Sequence, residues 1–227
     1  LIAPEGVAIG PFQENMGSQR YRASGTELLI YYGEPSPYSL VQEIYMDFLP
    51  VENYIDSGIW KIRLTPEKIT EGRYDLWLPA REERNQDTYF YRPDPGTTLT
   101  IPSTAGKVIS VGAYDSRLMT FSGRGYTRDG RNIKPDLSAP GVNIMTTAPG
   151  GGYAPRTGTS FATPFVSGSA ALLMQWGLID GRDPYLYGSK LKAYLLKGAR
   201  PIPAVKTYPD QRLGYGVLCA EESLPRR

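Results

Sequence analysis

The run Gly158-Thr159-Ser160-Phe161-Ala162-Thr163-Pro164-Phe165-Val166-Ser167-Gly168 constrains this chain more than any other stretch. Its leading glycine can take backbone angles closed to residues with a side chain, which predicts a tight turn. A serine follows at or near the start of a helix, where unpaired N–H groups and the helix dipole favour negative charge. Pro164 is expected in the first turn or so, where a missing N–H costs least. Ala162, Gly168, Ala170 and Ala171 leave room for close neighbours, and Leu172, Leu173 and Trp176 are expected to continue a buried face. A serine so placed can attack a carbonyl carbon, while its own N–H helps to stabilise the oxyanion that forms. For Gly158-Thr159-Ser160 taken alone, a serine N-cap on a buried small-residue helix is the competing reading.

The sequence has no histidine. A Ser-His-Asp triad therefore cannot be completed within these residues, and neither can a histidine-ligated zinc site. Cys219 is the only cysteine, which excludes an internal disulfide and a cysteine-based metal site. It reads as a small buried hydrophobe. No cofactor or metal is expected. The length, 227 residues, suffices for one large or two small domains with a proper core. No run approaches the roughly 20 apolar residues of a membrane span. The sequence opens on Leu1 without a signal peptide, which leaves its destination open.

Charge divides the chain. Residues 1–97 carry 9 Lys+Arg against 15 Asp+Glu, and residues 98–227 carry 16 against 8. A shift of this size near residue 97 predicts a domain boundary, with the acidic half docking on the basic half. The basic half has no dense Lys/Arg run, which argues against nucleic-acid binding.

Residues 1–97 read as β-structure: tyrosine-rich runs separated by Gly, Pro, Asn and Asp. Glu27–Tyr32 is one predicted strand. Val41–Leu49 is another, with Ile44, Met46 and Phe48 on one face. Gly58–Leu64 places Trp60, Ile62 and Leu64 on one face, and Gly72–Leu78 follows. Leu1–Gly6 reads as a strand running into a turn. Short strands at this spacing predict a β-sandwich or jelly roll. Glu82, Glu83 and Asp94 read as solvated loop charges. Arg92-Pro93-Asp94-Pro95-Gly96 is a turn or hinge.

Beyond it, Thr98–Ile101 and Val108–Val111 read as strands, the second apolar on both faces like a central parallel strand. Gly188-Ser189 opens a second helix with Leu191, Tyr194 and Leu195 on its inner side, and Gly198 is a candidate C-cap. Asp115, Asp129 and Asp136 each have an adequate structural role in a turn or loop.

The full eleven-residue run resembles the nucleophile motif of the subtilisin-like serine proteases, G-T-S-x-A-x-P-x-V-x-G, at every fixed position. Phe165 stands where many members carry a non-catalytic histidine. Val108-Ile109-Ser110-Val111-Gly112-Ala113 and Asp136-Leu137-Ser138-Ala139-Pro140-Gly141-Val142 resemble further segments of that family. The tail Tyr208–Cys219, the Gly58–Leu64 run, and Arg92-Pro93-Asp94-Pro95 before Thr97-Thr98-Leu99-Thr100 look like the clostridial spore-germination (Csp-type) subtilases, which carry a jelly roll inserted in the catalytic domain.

The resemblance implies an α/β plus all-β chain. Residues 1–97 would be most of a jelly-roll β-sandwich insertion, and residues 98–227 the C-terminal part of a subtilisin-like parallel-sheet domain. It implies Ser160 as nucleophile and backbone oxyanion donor. It puts Thr159, Ile101 and Pro102 on the substrate side, although plain strand-end packing explains the last two equally well. The family's catalytic aspartate and histidine and its oxyanion asparagine lie upstream of the insertion, so no residue here takes those roles. The implied partners are a protein or peptide substrate, an upstream catalytic segment and, as a further candidate, a propeptide. The implied location is extracellular or spore-associated.

Two function classes follow. One is a serine endopeptidase of which this chain is an inert part, since an unassisted serine hydroxyl is a poor nucleophile at neutral pH. A Ser-Lys dyad through Lys134 or Lys107 conflicts with the family's geometry. The other is a catalytically inactive pseudoprotease that acts as a binding or sensing module. The upstream aspartate and histidine discriminate between them.

Overall fold

The computed structural model describes residues 1–13, 17–33, 42–80, 83–85, 87–115, 117–118 and 120–225. Val41 and Glu82 lie outside these. The chain divides into two compact units, Leu1–Tyr74 and Asp75–Arg227.

The first unit is built on an antiparallel sheet in the order β1 (Gly17–Ala23), β2 (Thr26–Gly33), β3 (Glu43–Pro50). Alternation decides its faces. Leu28 and Ile30 of β2 are buried, and Leu28 is paired with Phe48 and Ile30 with Met46. One face of the sheet thus packs on Ala3, Ile9 and Trp60. Phe48 and Trp60 meet edge to face, with centroids 5.0 Å apart, a favoured arrangement for aromatic rings. The expected shared face of Ile44, Met46 and Phe48 is present, although Ile44 lies at its exposed end.

Two other predicted strands do not form ladders. In 58–64 the backbone pairs only at Lys61, which exchanges two hydrogen bonds with Ile2 at 2.8 and 2.9 Å. Residues 72–78 have no strand pairing among the described residues, and neither do 98–101. Alternation prepares a segment for a two-faced environment, but a strand needs a neighbour to complete its hydrogen bonds.

In the second unit, β4 (Val111–Asp115) lies between β5 (Arg117–Leu118) and β6 (Leu137–Pro140). The β4/β6 pair is parallel, with Val111 opposite Leu137 and Ala113 opposite Ala139. This is the central parallel strand that the apolar run at 108–111 predicts, shifted a few residues toward Gly112-Ala113. A Cβ at Gly112 would lie 2.4 Å from Ser138 Oγ and 2.9 Å from the Arg212 carbonyl, so only glycine fits there. A hairpin of β7 (Ile144–Thr147) and β8 (Tyr153–Arg156) follows.

Helix α1 (Thr159–Met174) then packs on β4 and β6. It presents Ala162, Val166, Ser169 and Leu173 inward, a spacing of four, three and four that keeps one face to the core. A short π-helical turn, Gln175–Ile179, prolongs it. Leu172 does not join the buried face: it is 60 % exposed and points away with Phe165 and Met174. Consecutive leucines on a helix sit about 100° apart, so Leu172 and Leu173 cannot both face one core.

Helix α2 (Gly188–Lys197) buries Leu191 and Leu195, with Tyr194 half-buried, as its periodicity predicts. Gly198 is the C-cap, in a right-handed conformation with φ −84°. A last turn, α3 (Ala220–Ser223), ends the described fold. Among the described residues no helix is long and apolar enough to cross a membrane.

Candidate active site

The candidate site is assembled where β6 ends and α1 begins. Gly141 follows β6 directly, and its carbonyl accepts the Gly158 N–H at 2.8 Å. Space around Gly141 is minimal: a Cβ there would lie 2.6 Å from Ala113 Cβ and 3.0 Å from the Gly158 carbonyl oxygen. Gly158 itself has φ 157° and ψ 161°, a corner of backbone space held almost only by glycine. The β7–β8 hairpin leaves and returns at this point. Asn143, with φ 52°, donates its N–H to Thr157 Oγ1 at 3.0 Å.

Ser160 is the second residue of α1 and is exposed. The first tight-turn bond runs from the Phe161 N–H to the Gly158 carbonyl at 3.1 Å. The N–H groups of Thr159 and Ser160 precede it and have no acceptor among the described residues. They are unpaired donors at the positive end of a sixteen-residue helix. The Ser160 hydroxyl likewise has no hydrogen-bond partner among the described residues. Thr159 is half-buried, and its carbonyl accepts from Thr163 Oγ1 at 3.1 Å.

Pro164 is the sixth helical residue, in the second turn and not the first. Its missing N–H is the one that would otherwise bond the Ser160 carbonyl, so that carbonyl lacks its usual helical donor.

The far end of the β4/β6 pair is locked by charge. Asp136, immediately before β6, accepts from Lys134 Nζ and from the Ser110 N–H on Oδ2, both at 2.7 Å, and pairs with Lys192 on Oδ1 at 2.7 Å. The Lys134 ammonium also donates to the Val108 carbonyl at 2.7 Å, and that of Lys192 to the carbonyls of Gly106 and Val108. The side chains of Lys134 and Asp136 are 1 % and 3 % exposed. Burial pushes the Lys134 ammonium below its ordinary pKa, with Asp136 acting in the opposite sense.

This network answers two sequence readings. Lys134 is engaged at the end of β6 opposite Gly141, and neither it nor Lys107 bonds Ser160 among the described residues, so the dyad alternative has no geometric support. Asp136 is structural, and so is Asp129, which bonds the Thr127 hydroxyl and the Arg131 N–H in a loop. Lys192 was not singled out by the sequence. It lies 56 residues from Asp136, and only the rule that buried charges come paired could have asked for it.

Ile101 and Pro102 sit in a turned segment, where the Ser103 and Ala105 N–H groups donate to the Thr100 and Pro102 carbonyls at 2.9 and 3.0 Å. Thr98 ties this segment to Arg124 by two hydrogen bonds. Ile101 is 84 % exposed. No hydrogen bond among the described residues joins Ile101 or Pro102 to the Ser160 turn.

A parallel strand pair leads here to an exposed serine hydroxyl and two unpaired N–H groups at the N-terminus of a helix, an arrangement in which a hydroxyl can attack a carbonyl. The comparisons with known proteins narrow this. The subtilase family model, peptidase S8, matches residues 85–216, and the chain belongs to that family, with its subtilisin-like α/β fold and parallel sheet. The solved structure of the Clostridium perfringens CspB protease is similar over 98 % of this chain and 47 % of its own, with a TM-score of 0.74 and 35 % identity. An intracellular serine protease of Paenibacillus polymyxa is 38 % identical over 134 residues, covering 56 % of this chain and 37 % of that protein. The serine protease AprX of Bacillus subtilis is 32 % identical over 151 residues, covering 56 % of this chain and 32 % of that protein. The chain thus spans less than half the length of each of these relatives.

Proposed function

We propose that this chain is the C-terminal part of a serine endopeptidase, with Ser160 as the nucleophile and its backbone N–H as one oxyanion donor. The observation that carries this is the exposed Ser160 hydroxyl at the start of α1, beside two N–H groups without acceptors. Attack of Ser160 Oγ on a peptide carbonyl would form a tetrahedral oxyanion and then an acyl-enzyme, which water would hydrolyse. The base that takes the hydroxyl proton is a histidine held by an aspartate. The 227 residues contain no histidine, so that base is supplied from outside them, and this chain alone is inert.

Thr159, Ile101 and Pro102 belong to the substrate side in this reading, the last two as a pocket wall. The antiparallel sheet of residues 17–50 and the alternating runs after it are most of a jelly-roll module, with residues 1–97 as its extent. The partners are a protein or peptide substrate, the segment that carries the histidine and aspartate, and a propeptide. The location is extracellular or spore-associated.

The test is a fluorophosphonate probe applied to the 227-residue chain and to a longer product that adds the coding sequence before Leu1. Labelling of the longer product at Ser160, absent from the chain alone, is the expected result. A longer product that stays unlabelled and lacks the aspartate and histidine would overturn it in favour of a pseudoprotease that binds without cleaving. Labelling of the short chain alone would reveal a base other than histidine.

A further inference from the structure

The first compact unit holds a depression of about 270 Å3 between the tip of the β1–β2 hairpin and the segment that follows β3. Its fixed point is Asp56. Oδ2 of Asp56 accepts the Gly25 N–H at 2.9 Å and the Thr26 hydroxyl at 3.0 Å, while the Asp56 N–H donates to Thr26 Oγ1 at 2.8 Å. Thr26 is fully buried, and Trp60 Nε1 donates to the Asp56 carbonyl at 3.2 Å. The carboxylate is therefore held in place before any ligand arrives. Its other oxygen, Oδ1, accepts no bond from the described residues. A Cβ at position 25 would lie 2.7 Å from Oδ1, so Gly25 keeps that oxygen open.

Around this oxygen the rim combines one aromatic and three polar side chains. Tyr54 is 85 % exposed, an unusual place for a ring that gains most when its face is covered. Arg22 is oriented by its Nε, which donates to the Ser24 carbonyl at 3.2 Å, and this leaves its terminal N–H groups as donors. Glu52 and Asn53 add an acceptor and an amide. Two carboxylates against one guanidinium do not favour an anion. Among the described residues no group of three His, Cys, Asp or Glu side chains could hold a metal ion.

We propose that this depression is a saccharide site that takes one neutral pyranose ring of a larger glycan. The apolar C–H face of the sugar would cover the Tyr54 ring. Adjacent hydroxyls would donate to Asp56 Oδ1 and accept from Arg22 and Asn53, whose planar groups can engage two neighbouring hydroxyls at once. The pocket is preorganised, which limits the ordering cost of binding. No bond is made or broken, and every residue named here belongs to the first unit.

The experiment is saturation-transfer NMR and calorimetry of the 227-residue chain with glucose, galactose, N-acetylglucosamine and their β-linked oligomers. The expected result is saturable binding of at least one oligomer with millimolar or better affinity, weakened about tenfold or more by Tyr54→Ala and retained by Tyr54→Trp. Asn53→Ala, at a second exposed position, should weaken the same oligomer. Because Tyr54 and Asn53 are exposed, both alanine variants should melt with the parent chain. Failure of every sugar to bind at about 10 mM overturns the proposal. So does binding that Tyr54→Ala and Asn53→Ala leave unchanged. Neither result bears on fluorophosphonate labelling of Ser160, which is read separately.

Discussion

Gly141 and Gly158 form a two-glycine joint: the Gly158 N–H donates to the Gly141 carbonyl at 2.8 Å, and a side chain on Gly141 would strike Ala113 and the Gly158 carbonyl together. The end of a parallel strand and the turn before Ser160 are thereby held as one piece. Gly141→Ala should destabilise the second unit by about 1–3 kcal/mol, the usual cost of overpacking, as read from a urea unfolding midpoint. In the longer product it should also lower the rate of fluorophosphonate labelling, because the Ser160 turn must move. Unchanged stability would mean that the joint has slack.

Ser160→Ala should leave the fold intact. Its side chain is exposed and makes no hydrogen bond among the described residues, so the stability change should stay within about 0.5 kcal/mol. On the role proposed for Ser160, turnover of a peptide substrate by the longer product should fall by about 10^4-fold or more, since the attacking hydroxyl is removed while binding remains. Parallel melting curves and steady-state assays of the two forms provide the check.

Asp136 should be among the most sensitive positions in the chain. Asp136→Ala leaves Lys134 as a buried cation without its counter-ion, which should cost about 3–5 kcal/mol. Lys134→Met should cost less, because Asp136 keeps Lys192 and the Ser110 N–H. Equilibrium denaturation of both variants tests the order. Equal losses would show that Lys192 does not compensate.

Acid should act through Asp183. The Lys190 ammonium first, and then the Tyr194 hydroxyl, hold this carboxyl below its ordinary pKa of 3.8. A depressed carboxyl contributes stability that is complete above the unfolded value. That contribution is lost as pH falls below 3.8 and through the lower folded value. The gap in stability between the parent chain and Asp183→Asn should therefore be widest above about pH 5 and close toward about pH 2. Urea midpoints across that range measure it, and a gap that does not change with pH would rule out the linkage.

What the sequence revealed depended on the range of the interaction concerned. The turn and helix at 158–174 are local events, and glycine, serine and small-residue spacing announce them. Helix α2 was legible from Leu191, Tyr194 and Leu195, and β2 from its alternation. The segments 58–64 and 72–78 alternate just as well, yet pairing depends on a partner strand that no local pattern names. Hydrophobicity alone places Leu172 in the core, but the helical angle between it and Leu173 turns it outward. The site divided in the same way. Ser160 was visible in a motif, whereas the anchor of Lys134, Asp136 and Lys192 joins two distant parts of the chain, and Asp56 with Tyr54 becomes a pocket only once the β1–β2 hairpin stands beside them.

The β4/β6 ladder also sets a tolerance. Ala113 lies opposite Ala139, two residues before Gly141, and the Ser160 turn hangs from Gly141. Sliding β6 by one residue would carry that turn about 3.3 Å along the strand, as far as the whole gap across which a nucleophile meets its carbonyl. It would also turn each inward side chain of β6 outward. The paired lysines at the start of the strand and the crowded glycine at its end therefore act as two stops on a ruler, and the reach of the serine is measured from them.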